Sequence, residues 1–136
     1  MWKIELELIE EWLDTLDKET VSDVFFALEQ LQQLGPALGR PLVDTITGSK
    51  YRNLKELRPP SPKGSEIRIL FAFDPKRMAI MLLGGDKASG KRKKDKWSGW
   101  YKMAVPEAER LYEQHLRELE ALDADDRTIQ EEARHH

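Results

Sequence analysis

Residues 54–87, LKELRPPSPKGSEIRILFAFDPKRMAIMLLGGDK, contain the patterns that decide the fold. In the middle of this stretch, apolar side chains recur at every second position, at Ile67, Ile69, Phe71 and Phe73. A period of two predicts a strand with these side chains on one face. Residues 74–77 have a proline where a type I turn favours one, and the apolar run 78–83 predicts a strand covered on both faces. With a short strand before Arg58, the stretch predicts three strands, the last two forming a hairpin.

Strand and helix patterns also precede this stretch. Residues 1–6 alternate as a brief strand, and apolar residues three and four apart predict a first helix over 7–16. A second helix is predicted from Thr20, which with Asp23 resembles a capping box, to Gly35. Because the link between the two helices is short, they are expected to form an antiparallel hairpin.

The rest of the chain completes the predicted architecture. Residues 38–51 show no periodic pattern and predict a loop. A last helix is predicted to open at Val105, because the proline that follows favours the first position of a helix. The expected fold class is α+β: a small antiparallel sheet packed against the N-terminal helical hairpin, with a C-terminal helix. We expect a domain over 1–120 and a flexible tail over 121–136, where the helical pattern is lost.

Composition excludes several classes of protein. The chain of 136 residues has no cysteine, which removes disulfides, thiol catalysis and thiolate metal sites. It has no run of apolar residues long enough to span a membrane. Its N-terminus lacks a basic region followed by an apolar stretch, so we expect no signal peptide and a cytoplasmic protein.

The charges are strongly segregated along the chain. Residues 50–102 contain 15 Lys/Arg and 5 Asp/Glu, whereas the remainder contains 7 Lys/Arg and 20 Asp/Glu. A basic sheet region between two acidic helical regions indicates a polyanion-binding face. The alternative is a solvated surface whose charges merely separate by segment.

Motifs for metal, nucleotide or triad chemistry are poorly matched. Residues 85–92 have the glycine spacing of a phosphate-binding loop, but Arg92 stands where a magnesium-binding hydroxyl is needed, and no helix pattern follows. His115 has no partner at helical spacing that would make a ligand pair, and no serine–histidine–aspartate triad can be assembled from the sequence with this histidine alone. We therefore predict no metal and no cofactor.

Cations and aromatic side chains remain as candidates for binding RNA. Guanidinium groups grip phosphates, lysines act as point charges, and aromatic faces stack on unpaired bases. The candidates for RNA binding are Lys55, Lys91, Arg92, Lys93, Lys94, Lys96, Trp97 and Trp100. For the two tryptophans the alternative is packing at the edge of the core.

Three segments of the chain resemble toxins of the RelE/ParE superfamily, in the phage-derived, HigB-type (Gp49-like) branch. They are LKELRP at 54–59, IRILFAFDP at 67–75 and LLGGDK at 82–87. The helix predicted after Val105 also fits the family. The resemblance covers residues 1–119, and the order of strand, two helices, three strands and helix carries much of its weight.

The resemblance implies a cytoplasmic toxin of a type II toxin–antitoxin pair. Toxins of the HigB branch cleave mRNA on the ribosome without a metal, through attack of the ribose 2′-hydroxyl on its own phosphate. The implied partners are mRNA, the ribosome and a helix-turn-helix antitoxin, with no membrane. Two alternatives share the fold: a ParE-like toxin that inhibits DNA gyrase without catalysis, and an inactive phage-derived relative that binds RNA.

Mapped by motif, the resemblance implies five catalytic residues: Arg68, Lys87, Arg58, Glu56 and Tyr101. The first two are expected to contact phosphate, and Tyr101 to stack on a base or assist proton transfer. The second strand of the RelE archetype carries lysines for proton transfer, whereas this chain has Leu54 and Glu56 near those positions. Glu56 is therefore either the general base or a partner of Arg58, and the identity of the base stays open.

Overall fold

The computed structural model describes residues 1–61, 65–88 and 95–134, and of residues 95–98 it describes the backbone alone. Single 3₁₀ turns at Glu7–Ile9 and Gly35–Ala37 accompany the regular elements. In chain order these elements are β1 (Lys3–Glu5), α1 (Glu10–Asp14), α2 (Lys18–Leu34), β2 (Val43–Thr45), β3 (Leu54–Leu57), β4 (Ile67–Phe73), β5 (Met78–Asp86) and α3 (Asp95–Arg134). No helix in these ranges is both long and apolar enough to cross a membrane.

The five strands form one sheet in the order β1-β5-β4-β3-β2. β2 to β5 pair as antiparallel neighbours, and β1 lies parallel to β5 with Lys3 opposite Met78. The predicted α+β class and the three strands of residues 54–87 are confirmed. β2 lies in the stretch predicted as a loop, because three residues are too few to show an alternating pattern.

Helices cover both faces of the sheet. Ile69 and Phe71 of β4 pack with α2, through Val24, Ala27, Leu28 and Leu31. Leu70 and Ala72 point to the other face and pack with α3, through Trp100, Ala104, Ala108 and Tyr112. The sequence predicted a basic, polyanion-binding face of the sheet. α3 packs over much of this second face, and Arg58 and Lys87 line a cavity at one end of it.

The starts of two helices differ from the prediction. Asp17, not Thr20, caps α2, and its Oδ1 accepts a hydrogen bond from the Thr20 backbone amide at 2.7 Å. The end of α2 at Leu34 is as predicted, since Gly35 adopts a φ of 55° that suits glycine. α3 includes residues from Asp95, so Pro106 lies inside the helix instead of opening it.

α3 also continues beyond the segment that contacts the sheet. The sequence predicted a frayed tail from residue 121, whereas the structure keeps 121–134 helical with exposed side chains from 124 onward. The division of the chain into a domain over 1–120 and a flexible tail stays a prediction. We call residues 120–134 the C-terminal arm.

Glycine at position 84 leaves room for a tryptophan. A Cβ added there would lie 2.3 Å from Cε3 of Trp12, which packs over β5. We expect Gly84→Ala to lower the free energy of unfolding by about 1–3 kcal/mol, the usual range for overpacking. Urea unfolding measures the change, and Gly39→Ala is the matched control, because a Cβ at Gly39 meets no atom within 4 Å. Equal stabilities for the two variants would contradict this packing.

Candidate active site

A carboxylate lies buried on the side of the sheet that α3 covers. Alternation along β3 turns Glu56 toward α3 and its neighbour Lys55 toward the other face, and Glu56 stands opposite Leu70 of β4. Only 2% of Glu56 is exposed. Burial of a charge at this depth requires compensating partners.

Three side chains supply that compensation. Arg58 donates from Nε to Oε1 of Glu56 at 2.7 Å, and Nε of Arg68 lies 3.7 Å from the same oxygen. The hydroxyl of Tyr101, from α3, donates to Oε2. Both carboxylate oxygens are therefore engaged, and Glu56 joins β3, β4 and α3 into one polar cluster.

The two arginines differ in how far they reach solvent. The side chain of Arg58 is 33% exposed and also lies 3.2 Å from Asp44 Oδ2. That of Arg68 is 11% exposed; its Nη1 donates to the Ile67 carbonyl at 2.8 Å, and its Nε has no hydrogen-bond acceptor among the described residues. The bond from Arg58 to Glu56 raises the pKa of Arg58. Arg58 is the arginine that presents a fixed positive charge to solvent.

Lys87 and Tyr101 lie together at the end of β5. The Lys87 Nζ lies 5.9 Å from the centre of the Tyr101 ring, within the range of a cation–π contact. Burial, followed by the positive charge of Arg68, lowers the pKa of Lys87. Burial and the hydrogen bond to Glu56 raise the pKa of Tyr101. Lys87 can thus give up a proton more readily than an ordinary lysine, and the phenol stays protonated.

These groups open onto one cavity of about 680 Å³, which we call the active-site cavity. Glu56, Arg58, Lys87 and Tyr101 form its polar wall. The other wall comes from the end of β2, the loop after it and α3, through Asp44, Thr45, Ile46, Thr47, Gly48, Lys102, Val105 and Pro106. Sequence reasoning missed this second wall, since residues 44–48 carry no charge run or motif. Lys102 could have been found, because it follows Tyr101 and is basic.

The structure does not bring all the predicted residues to this cavity. Arg68 lies behind its wall, and Lys55 lies on the α2 side of the sheet, where its Nζ is 3.2 Å from Thr45 Oγ1. Trp100 is 9% exposed and fills the space above Gly85, where a Cβ would come within 2.5 Å of the indole nitrogen. It packs in the core, as the alternative interpretation held.

Six further candidates lie outside what the structure describes. Residues 91–94, which comprise Lys91, Arg92, Lys93 and Lys94, fall outside the described ranges, and the side chains of Lys96 and Trp97 are not described. Their predicted part in RNA binding stays a prediction.

His115 joins α3 to the turn between β4 and β5. Its Nε2 lies 2.8 Å from Oδ2 of the buried Asp74. The other carboxylate oxygen accepts backbone amides of Lys76 and Met78. His115 therefore has a structural partner, and no group of three or more His, Asp or Glu in the described residues is placed to hold a metal ion.

The lowered pKa of Lys87 can be measured without a substrate. An NMR titration of the methylene next to its amine should give a pKa below the ordinary 10.5, because burial disfavours the charged form. Arg68→Gln removes the positive charge that lowers the pKa of Lys87 most, so this pKa should rise in that variant. Arg77→Gln, which changes a cation near Trp2 instead, should leave it unchanged. An identical Lys87 pKa in wild type and Arg68→Gln would contradict the electrostatic coupling.

Comparison with known proteins places this chain in a family. The model of the family described as "Phage derived protein Gp49-like" matches residues 11–113. Two similar proteins come from Mycobacterium tuberculosis (strain ATCC 25618 / H37Rv). The first, named "Putative toxin HigB2", is 49% identical over 119 residues, which are 88% of this chain and 56% of the relative. The second, named "Putative toxin HigB3", is 44% identical over 111 residues, which are 82% of this chain and 90% of the relative.

The match extends across the elements that build the cavity. Residues 11–113 include β3, β4 and β5, and they include α3 as far as Glu113. The chain spans little more than half the length of the HigB2 relative and nearly all of the HigB3 relative. The chain therefore belongs to the phage-derived Gp49-like family.

Proposed function

We propose that the protein is the toxin of a type II toxin–antitoxin pair and acts as a metal-independent endoribonuclease on mRNA at the ribosome. The names of the two relatives support the toxin class. The observation that carries the enzymatic part is the active-site cavity, in which Arg58 and Lys87 flank Tyr101 above a buried carboxylate. Two cations at one mouth suit a phosphodiester, whose charge grows as the phosphorus becomes pentavalent.

The proposed reaction is an internal transfer within RNA. The ribose 2′-oxygen bonds to phosphorus while the bond from phosphorus to the 5′-oxygen of the next nucleotide breaks, which leaves a 2′,3′-cyclic phosphate and a 5′-hydroxyl. Arg58 neutralises the charge that develops on the phosphoryl oxygens. Lys87 donates the proton that the departing 5′-oxygen needs, which its lowered pKa favours.

Glu56 is the proposed acceptor for the proton of the 2′-hydroxyl. In the free protein its Oε2 accepts a hydrogen bond from the hydroxyl of Tyr101, so this oxygen is already placed to interact with a hydroxyl group. A ribose hydroxyl that replaces the phenol would meet the same oxygen. Tyr101 itself is not available as the base, because its raised pKa keeps the phenol protonated. Arg68, held behind the wall, is then a positioning residue that keeps Glu56 in place.

Expression in cells tests the function. Induction of the protein alone is expected to arrest growth and to produce mRNA cuts aligned with the reading frame of translating ribosomes. Co-expression of the expected helix-turn-helix antitoxin should restore growth. Intact transcripts with a DNA damage response would point to gyrase instead, and growth without cuts but with bound RNA would indicate the inactive relative.

A further inference from the structure

A second cavity lies at the opposite end of the α3-covered face. It has a volume of about 550 Å³, lies between α3 and the segment containing β1 and the first 3₁₀ turn, and shares no lining residue with the active-site cavity. Its floor is apolar and formed by Leu8, Met78, Ile80, Leu111 and Leu119. Leu8 is 48% exposed, so part of this floor faces solvent. We call this cavity the distal groove.

The rim of the distal groove is acidic. Glu5 and Glu7 stand on one side and Glu118 on the other. Among the described residues, none of these three carboxylates lies within ion-pair distance of a cation. The cation at the groove, Lys76, is already engaged, with its Nζ 3.1 Å from Asp123. The rim therefore offers uncompensated negative charge around an apolar floor.

The C-terminal arm extends this surface. Leu119, Leu122 and Ile129 are three and seven residues apart, which places them on one side of the helix. Leu122 and Ile129 are 61% and 63% exposed. Residues 117–134 carry 3 Lys/Arg and 7 Asp/Glu, so the apolar stripe runs through an acidic surface.

We propose that the distal groove and the C-terminal arm dock a basic amphipathic helix of a partner protein. Apolar side chains three or four residues apart on that helix would fill the groove over Leu8 and Leu119, and its lysines or arginines would pair with the rim carboxylates. The negative charge of the rim favours a basic protein segment over the other possible occupants of the groove. RNA phosphates are repelled by the acidic rim, and a second copy of this chain would bring another acidic arm. The antitoxin of the proposed function is one protein that could supply such a helix, but the docking chemistry does not depend on RNA cleavage.

A designed peptide tests the proposal directly. The probe is a labelled helix of about 18 residues, with leucines at spacings of three and four and lysines elsewhere. Fluorescence anisotropy is expected to show binding by the full-length protein, at least tenfold tighter than a scrambled peptide of the same composition. A version with glutamate in place of lysine should not bind. The methyl NMR signals of Leu8, Leu111 and Leu119 should shift on addition of the probe.

Two apolar-to-lysine substitutions, one inside the distal groove and one outside it, distinguish binding in the groove from a general effect of surface charge. Leu119→Lys is expected to weaken peptide binding at least tenfold, whereas Met103→Lys, at a 58% exposed position of α3 outside the groove, should leave it unchanged. Circular dichroism confirms folding of both. If Leu119→Lys does not fold, charge reversal at the rim by Glu118→Lys gives the same comparison.

Three results would overturn the proposal. Equal binding of the scrambled peptide would mean that the net charge of the peptide, and not its apolar face, accounts for binding. Methyl shifts confined to residues around the active-site cavity would place the peptide elsewhere. A concentration-dependent dimer that Leu119→Lys disrupts would assign the groove to a second copy of the chain.

Discussion

Glu56→Ala is expected to lower the free energy of unfolding by about 3 kcal/mol, the lower end of the cost of removing one partner from a buried ion pair. The carboxylate is 2% exposed and holds Arg58 at 2.7 Å. Without it, the guanidinium of Arg68 keeps its positive charge behind the cavity wall and is left with the Glu66 carboxylate, whose Oε1 lies 3.9 Å from Nη2. The one-third exposure of Arg58 allows water to take over part of the lost interaction, which keeps the expected cost from being larger.

Chemical unfolding in urea, followed by fluorescence, measures this change. Glu107→Ala is the matched control, since Glu107 pairs with Arg110 on the exposed face of α3 at 2.6 Å, and loss of an exposed pair should cost under about 0.5 kcal/mol. A double variant, Glu56→Gln with Arg68→Gln, should recover part of the loss because it removes both buried charges together. Wild-type stability in Glu56→Ala would mean that the cluster does not hold β3, β4 and α3 together.

Arg58→Ala is expected to reduce the rate of the proposed RNA cleavage by about two to three orders of magnitude, the effect of losing one electrostatic contact to a charge that develops in the transition state. Arg58 is the arginine that lines the active-site cavity, and its charge is held in place by Glu56 and Asp44. Arg58→Lys should retain a part of the rate, since lysine keeps the charge without the two-pronged geometry.

The measurement is cleavage of a ribosome-bound message by purified protein, with growth arrest in cells as a second readout. Arg40→Ala is the matched control: Arg40 Nη2 also pairs with Asp44, at 3.0 Å, but Arg40 does not line the active-site cavity. Thermal unfolding of each variant separates lost catalysis from lost folding. Full growth arrest by Arg58→Ala would show that the toxic activity does not pass through this cavity.

The strands of residues 54–87 could be predicted because their patterns are local. The apolar side chains at every second position of β4 and the unbroken apolar run in β5 each indicate which faces of the strand are buried. The start of α3 could not be found in this way. Pro106 matches the rule for a first helical turn, yet contacts of Trp100 and Ala104 with the sheet stabilise helix before it. Tertiary packing thus overrides a local signal.

The residues of the polar cluster could be predicted from the sequence, whereas their arrangement and the second wall of the cavity could not. Motif resemblance pointed to Glu56, Arg58, Arg68, Lys87 and Tyr101, and the structure joins them in one cluster. Their burial depends on where α3 crosses the sheet. That position is set by contacts between distant segments and cannot be read from the pattern of any one segment. The sequence therefore left Arg68 as an expected phosphate contact, whereas the structure places it behind Glu56 and brings Arg58 to the cavity.

The parallel pairing of β1 with β5 sets the order in which the molecule can assemble. Lys3 finds its partner only when Met78 and the hairpin around it exist, so β1 is made before the other four strands but is among the last to be paired. Contacts so distant along the chain form slowly because a long loop must first close. α3, which carries Tyr101, is made later still. Until α3 has been made and has docked, the active-site cavity lacks Tyr101 and the part of its second wall that Lys102, Val105 and Pro106 form, so a nascent chain has no complete candidate site.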